Sequence, residues 1–149
     1  MLERNFSKYI KQNLPKDCFI QNIENGLNSS GFPDLYLLYK TIPLLIELKT
    51  CIKRNKTIKD NISFKLEKSQ IAWNINYNRF NGVSFILQNA PLKNDLVLFD
   101  AYLIAMSQAT STPKPEPLII APLKDCIEQA RKIVIATNLK PVSQPNLTF

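Results

Sequence analysis

The sequence contains no histidine among its 149 residues. This absence excludes every mechanism that depends on imidazole: Ser-His-Asp triads, HNH-type metal sites, HExxH zinc sites and phosphohistidine transfer. The chemistry that remains is that of carboxylates, amines, hydroxyls and thiols. Three cysteines are present, Cys18, Cys51 and Cys126, and they have no CxxC or Cys/His spacing, which argues against structural zinc.

Long hydrophobic runs are also missing. The longest, such as residues 42–46 and 118–122, fall far below the roughly 18 to 20 residues needed to span a bilayer. The N-terminal stretch M-L-E-R-N-F-S-K-Y lacks the apolar core and the cleavage site of a signal peptide. We therefore expect no membrane-spanning segment and a location inside the cell.

The composition is that of one globular domain. Apolar residues make up 45% of the chain, enough to bury a core and too many for a disordered tail. The formal net charge of +7 favours a polyanionic partner, with nucleic acid first and an anionic membrane surface second. A membrane-surface role is disfavoured because no amphipathic helix rich in basic residues with aromatic anchors is evident.

Residue patterns predict the secondary structure in chain order. Proline, glycine and asparagine mark the boundaries between apolar runs of helical or strand periodicity. The first part reads as a helix over residues 2–13, a strand over 17–23, a turn-rich loop over 24–32, a hairpin of strands 33–39 and 44–49, a helix from about 66 or 67 to 80, and a strand over 83–88.

The C-terminal part is less distinctive. Residues 95–105 predict a strand, with a helix as the alternative, and the proline-rich stretch 111–117 predicts a connector. Residues 118–121 predict an edge strand, and the tail from residue 140 is expected to be loosely held. A closing helix is predicted over 123–135 with four buried residues, Leu123, Ile127, Ala130 and Val134.

Two carboxylates stand out at the hairpin, in the stretch G-F-P-D-L-Y-L-L-Y-K-T-I-P-L-L-I-E-L-K. A short turn makes the strands antiparallel, which brings Asp34 and Glu47 to the same end. Because strand residues alternate faces, Glu47 and Lys49 point the same way and Leu48 the opposite way. Two neighbouring carboxylates repel, and a divalent cation would relieve that repulsion. Lys49 would add positive charge beside a nucleophile or a phosphate.

Residues 49–68 are strongly basic, with seven Lys or Arg against the two acids Asp60 and Glu67. Either this loop is simply solvated or it contacts phosphates beside the hairpin end, and we favour phosphate contact. The six candidate contacts beyond Lys49 are Lys53, Arg54, Lys56, Lys59, Lys65 and Lys68.

The helix after the basic loop carries Gln70 in the middle of an apolar stripe of Leu66, Trp73, Tyr77 and Phe80. A glutamine on that face must hydrogen-bond something buried or something bound, whereas Trp73 is interpreted as core. On the first helix, Glu3 lies at the edge of the buried stripe, where it either supports the helix N-terminus or faces a site.

Taken together, G-F-P-D, I-E-L-K, the basic loop and Q-x-x-W resemble the PD-(D/E)xK nuclease superfamily, and within it the VRR-NUC and Holliday junction resolvase-like nucleases, many of them phage-encoded. The resemblance covers about residues 2–90. It implies an α/β restriction-endonuclease-like α-β-β-β-α-β core with a mixed sheet flanked by helices. The chain would form a single nuclease domain over 1–149, with a short strand-helix extension at about 91–139 and a loose tail at 140–149.

The resemblance also implies roles for individual residues. Asp34 and Glu47 would ligate Mg²⁺ or Mn²⁺, with the backbone carbonyl of Leu48 as third ligand. Lys49 would orient or deprotonate the attacking water and help neutralise the phosphate, and Gln70 would support the site. The residues implied as catalytic are thus Asp34, Glu47, Lys49 and Gln70. Glu3 would be an additional metal contact, with Glu24 as its competitor.

The expected function is therefore a metal-dependent DNA endonuclease, structure-selective for branched DNA such as Holliday junctions or flaps. Its partner would be branched or duplex DNA in the cytoplasm of a bacterium or a phage-infected host, without a membrane. A resolvase would need a homodimer that presents two sites, whereas a flap or nicking enzyme could act as a monomer. The alternative is a non-catalytic nucleic-acid-binding module on the same fold.

Overall fold

The computed structural model describes residues 3–23, 31–50, 64–89 and 95–139, without the side chains of Glu3 and Arg4. These residues form six strands and four helices. In chain order they are α1 (Glu3–Asn13), β1 (Cys18–Asn22), β2 (Leu35–Tyr39), β3 (Ile42–Lys49), α2 (Lys68–Arg79), β4 (Phe85–Asn89), β5 (Leu96–Asp100), α3 (Ala101–Thr110), β6 (Ile119–Ala121) and α4 (Leu123–Leu139).

The strands form one sheet in the order β1-β2-β3-β4-β5-β6. Neighbouring strands are antiparallel except β3 and β4, which are parallel. A parallel pair needs a crossover connection, and the segment containing α2 supplies it. The predicted mixed α/β fold, with a mixed sheet flanked by helices, is thus confirmed, and among the described residues the first six elements occur in the order α-β-β-β-α-β.

The turn between β2 and β3 is as short as the sequence suggested. Lys40 and Thr41 have φ angles of 47° and 68°, which corresponds to the two-residue hairpin turn with both central residues left-handed. The Lys40 ammonium lies 3.8 Å from Glu128 Oε2 of α4. This contact ties the turn of the hairpin to the helix layer behind the sheet.

The larger core fills one face of the sheet. Alternate residues of β3, Leu44, Ile46 and Leu48, point to this face and are almost completely buried. Helices α1 and α4 cover it with Phe6, Ile10, Cys126 and further apolar side chains. As predicted, Leu123, Ile127, Ala130 and Val134 are the buried stripe of the closing helix, which extends to Leu139.

The smaller core lies on the opposite face, beneath α2 and α3. It is built by seven buried residues, with Phe64, Ile71 and Ile75 packed against them. The seven are Leu66, Ile86, Val97, Phe99, Ala101, Ile104 and Ala105. Among the described residues, the strand residues of this core come from β4 and β5, so α2 and α3 pack mainly over that half of the sheet.

Two predictions were wrong. Residues 95–105 are neither one strand nor one helix, because β5 ends at Asp100 and α3 begins at Ala101. Asp100 Oδ1 accepts a hydrogen bond from the Leu103 amide at 3.2 Å, which is a helix N-cap. Phe80 does not belong to the buried stripe, since it is the C-cap residue of α2 and its side chain is 79% exposed.

Among the helices that the structure describes, none combines the length and apolar character needed to cross a membrane.

The N-cap of α3 can be tested by two substitutions of Asp100. Asp100→Ala removes the acceptor for the Leu103 amide and should lower the free energy of unfolding by about 1 kcal/mol. Burial raises the pKa of Asp100, partly offset by its backbone hydrogen bonds, so ionisation of this carboxyl opposes folding. Asp100→Asn keeps the cap without the charge and should equal or exceed the wild-type stability at pH 7. Urea unfolding of the three proteins measures the difference, and equal losses in both variants would contradict the capping role.

Candidate active site

The hairpin places Asp34 beside Glu47. Leu35 pairs with Ile46, so one step further along the register Asp34 falls opposite Glu47. The same alternation that sends Ile46 and Leu48 into the large core turns Glu47 and Lys49 to the opposite face. Asp34 and Glu47 therefore lie next to each other on the face that α2 approaches.

Asp34 is held by the backbone of β3. Its Oδ2 accepts a hydrogen bond from the Leu48 amide at 2.9 Å, and its carbonyl accepts one from the Ile23 amide at 2.9 Å. In an antiparallel strand the N–H and C=O of one residue point to the same side, so the Leu48 carbonyl is also directed toward the β2 side. Pro33, which falls opposite Leu48 if the register continues, has no N–H to donate to that carbonyl.

Glu47 is a nearly buried carboxylate, with 5% of its side chain exposed. Its Oε1 accepts a hydrogen bond from Gln70 Nε2 at 2.8 Å and lies 3.7 Å from Lys49 Nζ. A carboxylate removed from water is costly unless it is hydrogen-bonded and paired with a positive charge. Gln70 supplies the hydrogen bond and Lys49 the positive charge, both at Glu47 Oε1.

Gln70 joins the helix to the hairpin. Its Oε1 accepts hydrogen bonds from Lys49 Nζ at 3.3 Å and from the Glu67 amide at 2.9 Å, while its Nε2 donates one to Glu47 Oε1. The bond to the Glu67 amide belongs to a capping box at the first turn of α2. The positive end of the helix dipole is thus close to the buried carboxylate, which favours negative charge there.

The segment before Asp34 packs directly against α2. Gly31 has φ +82°, and a Cβ at this position would collide with the backbone of Ser69 and Gln70. The Phe32 ring meets Trp73 edge-on, with ring centroids 5.1 Å apart, and Trp73 stacks on Tyr77 at 4.7 Å. Trp73 is therefore half-buried and holds the G-F-P-D segment against the helix, instead of lying in the core.

Asn74 and Ser84 support Gln70 from below, and sequence reasoning missed both. Asn74 Nδ2 donates to the Gln70 carbonyl at 2.8 Å, and Asn74 Oδ1 accepts from Ser84 Oγ at 2.6 Å. Both residues are buried. Spacing gave a signal, since Asn74 lies one helical turn after Gln70 on the same face.

Residues of the C-terminal part contact the segment that leads into α2. Gln108 of α3 accepts from the Leu66 amide at 2.8 Å and donates to the Phe64 carbonyl at 3.1 Å. Lys114 Nζ lies 4.2 Å from the Phe64 ring centroid and 4.8 Å from that of Phe99. Although much of Lys114 is exposed, the partial burial of its ammonium lowers its pKa to about 8, while the two rings favour the charged form.

A further buried polar residue lies beside the site. Gln88 of β4 pairs with Lys49 in the parallel register, so the two side chains share a face of the sheet. Gln88 is 1% exposed. Nothing in the local sequence marked it, because it ends a run of apolar residues typical of a buried strand.

Most of the other predicted site residues lie outside the part of the chain that the structure describes. The side chain of Glu3, and all of Glu24, Lys53, Arg54, Lys56 and Lys59, lie outside the described residues. Lys65 and Lys68 are exposed around the start of α2. Within the described ranges, no group of three or more histidine, cysteine or acidic side chains could hold a metal ion, and Asp34 and Glu47 are a pair of acids there.

A scan against protein-family models gives no match, and a search of curated proteins finds no similar sequence.

The close packing of Gly31 on α2 gives a test of how the site is assembled. Gly31→Ala adds a side chain at a positive φ and against helix backbone, so it should lower the free energy of unfolding by about 2 to 4 kcal/mol. Gly82→Ala is the comparison variant, because the atoms nearest to its added Cβ belong to the side chain of Tyr77 instead of to backbone, and its φ is outside the positive region. Denaturant unfolding compares them, and an equal or smaller loss in Gly31→Ala would refute this packing.

Proposed function

We propose that this protein is a metal-dependent nuclease of the PD-(D/E)xK type that hydrolyses phosphodiester bonds in DNA. One observation carries the proposal: Gln70 contacts both Glu47 and Lys49, while the neighbouring Asp34 is bonded to the backbone of Leu48. Residues that are separated by up to 36 positions in the chain thus form one cluster of two acids, one amine and one amide. These are the residues that the sequence resemblance assigns to the site.

The donor atoms fit a hard divalent cation. Asp34, Glu47 and the Leu48 carbonyl offer oxygen only, and Mg²⁺ in proteins is typically held by one or two carboxylates together with water and substrate phosphates. When bound, such an ion would supply charge neutralisation for the phosphate and a nucleophile at neutral pH.

The protein's own residues account for the other requirements of hydrolysis. Lys49 holds a positive charge beside the acid pair, where it can orient an attacking water and stabilise the charge that develops on the phosphate. Gln70 fixes the position of Lys49 relative to Glu47 by accepting from one and donating to the other. Both side chains are constrained before substrate arrives, so little reorganisation is needed during reaction.

The alternative to catalysis is that the cluster is a buried ion pair with a structural role only. Replacing such a pair by apolar residues is often neutral or stabilising, so stability alone is a weak reason for a sequence to keep it. The cluster also lies at the end of the hairpin, and the exposed Lys65 and Lys68 flank the start of α2 nearby. Positive charge around paired acids suits a phosphodiester substrate better than a purely structural role.

Catalysis is tested with the full chain on a panel of four-way junctions, flaps, single strands and plain duplex, with Mg²⁺ or Mn²⁺. We expect cleavage of at least one substrate, a loss of about 10²- to 10³-fold or more in Glu47→Gln and Lys49→Ala, and about 10- to 100-fold in Gln70→Ala. Lys132→Ala removes an exposed lysine of α4 and is the matched control. Circular dichroism checks that each variant is folded.

If every substrate stays intact while DNA still binds, the non-catalytic binding module is the better function. Gel filtration of the same protein, alone and with a junction, shows whether a dimer presents two sites.

The proposed DNA contacts of the basic stretch after Lys49 are tested by removing three of its positive charges. The triple variant Lys53→Ala, Arg54→Ala and Lys56→Ala should weaken DNA binding and reduce the slope of log K against log salt by up to about three, since each phosphate contact contributes about 0.9. The control variant removes three lysines elsewhere, Lys11, Lys124 and Lys132, and changes the net charge equally. Equal slopes for both triples would remove this stretch from the interface.

A further inference from the structure

Within the part of the chain that the structure describes, no helix packs over one face of the outer half of the sheet. Strand register places six residues of β1, β2 and β3 on it in two rows, Phe19–Leu38–Pro43 and Gln21–Tyr36–Leu45. We name these six residues the open sheet face. Their neighbours in sequence point the other way, into the core beneath α1 and α4.

The open sheet face is apolar and accessible. Phe19 is 56% exposed and Leu38 is 37% exposed, although both belong to regular strands of the sheet. Gln21 and Pro43 are exposed, and Tyr36 and Leu45 are half-buried. Exposed apolar side chains grouped on one strand face, next to the candidate site, are typical of a binding surface.

The position of this face relative to the candidate site is fixed by the register. Moving along the strands, the row that follows Tyr36 and Leu45 contains Asp34 and Glu47 on the same face of the sheet. Successive rows are about 7 Å apart, the span of two strand residues. Whatever covers the open sheet face therefore reaches the acid pair in the adjacent row.

The chemistry of the face selects its partner. None of the six residues is charged, in a chain whose net charge is +7, so phosphate groups are not what this face recognises. Phe19 and Tyr36 are diagonal neighbours on adjacent strands, close enough for two rings to form a continuous surface. Exposed aromatic rings on a sheet are a common platform for unpaired nucleobases, which stack on them without sequence preference.

We infer that the open sheet face binds unpaired nucleobases of a DNA strand whose backbone passes the acid pair. This inference rests on the proposed nuclease function and adds the substrate class: strands with unpaired nucleotides, in preference to continuous duplex. Base pairs within a duplex hide their ring faces in the stack, so only a single strand, a flap or an opened branch point can occupy Phe19 and Tyr36. A second copy of the chain seated here would instead cover the approach to Asp34 and Glu47.

The test measures binding without catalysis. The full chain is titrated, in EDTA, against fluorescein-labelled single strands of thymidine nucleotides and against strands of equal length and charge that carry abasic sites. Wild type should bind the base-containing strand more tightly. Phe19→Ala and Tyr36→Ala should each weaken that binding by roughly 5- to 150-fold, the effect of one lost base stack, and should leave abasic binding unchanged.

Matched variants distinguish base stacking from nonspecific hydrophobic binding. Phe80→Ala removes an aromatic ring that is more exposed than Phe19 and lies at the end of α2, and it should change neither affinity. Phe19→Leu keeps an apolar side chain but loses the ring, so it should behave as Phe19→Ala, whereas Phe19→Trp should retain the preference for bases. Circular dichroism establishes that the variants are folded.

Three results would overturn the inference: equal affinity of wild type for base-containing and abasic strands, unchanged binding in both Phe19→Ala and Tyr36→Ala, or light scattering that shows a dimer which Phe19→Ala dissociates without affecting base preference. The last result would identify the face as a contact between two copies. Failure of the nuclease proposal is distinguished by the cleavage panel: base-dependent binding without cleavage keeps this surface and removes the catalysis, and cleavage without base dependence does the reverse.

Discussion

The structure depends on the burial of one carboxylate. Glu47 lies in the middle of a sheet with almost no access to water, and Gln70 and Lys49 both stabilise it there by contacting the same oxygen atom. The hydrogen bond to Glu47 constrains where α2 lies, since a shift of the helix by a fraction of a turn would remove the Gln70 amide from Glu47. The surrounding contacts can be understood as ways of holding α2 in that position.

Three groups of contacts hold the helix, and each comes from a different part of the chain. Gly31 allows the segment before β2 to pack against the first turn of α2. Asn74 and Ser84 connect the middle of α2 to the residue that precedes β4. Gln108 forms hydrogen bonds with the residues that lead into α2. The last contact comes from the part of the chain that resembles no nuclease core. The C-terminal extension is therefore part of the scaffold of the site.

Local patterns predicted those parts of the fold that depend on neighbours in sequence. The short turn and strand alternation gave the hairpin and placed Asp34 and Glu47 at one end, and the position of Gln70 on an apolar stripe indicated a partner that is either buried or bound. What escaped prediction was non-local. The bond from Gln108 to Leu66 joins residues 42 positions apart, and no periodicity reveals such a pair. The boundary at Asp100 was missed because an apolar run continues from β5 into α3, and only the capping aspartate divides it.

The two halves of the candidate site form in different ways, because the parallel pairing of β3 with β4 requires the chain to cross the sheet between them. The hairpin that carries the acids closes over a two-residue turn, whereas Gln70 reaches Glu47 only after the chain has crossed the sheet. Loop closure costs entropy that grows slowly with length, about 0.6 kcal/mol for each doubling. The contacts that hold α2 against the hairpin must therefore offset the entropy of closing the connection from β3 to α2. The cluster in this way joins a hairpin formed by neighbours in sequence to a helix that a crossover connection brings to it.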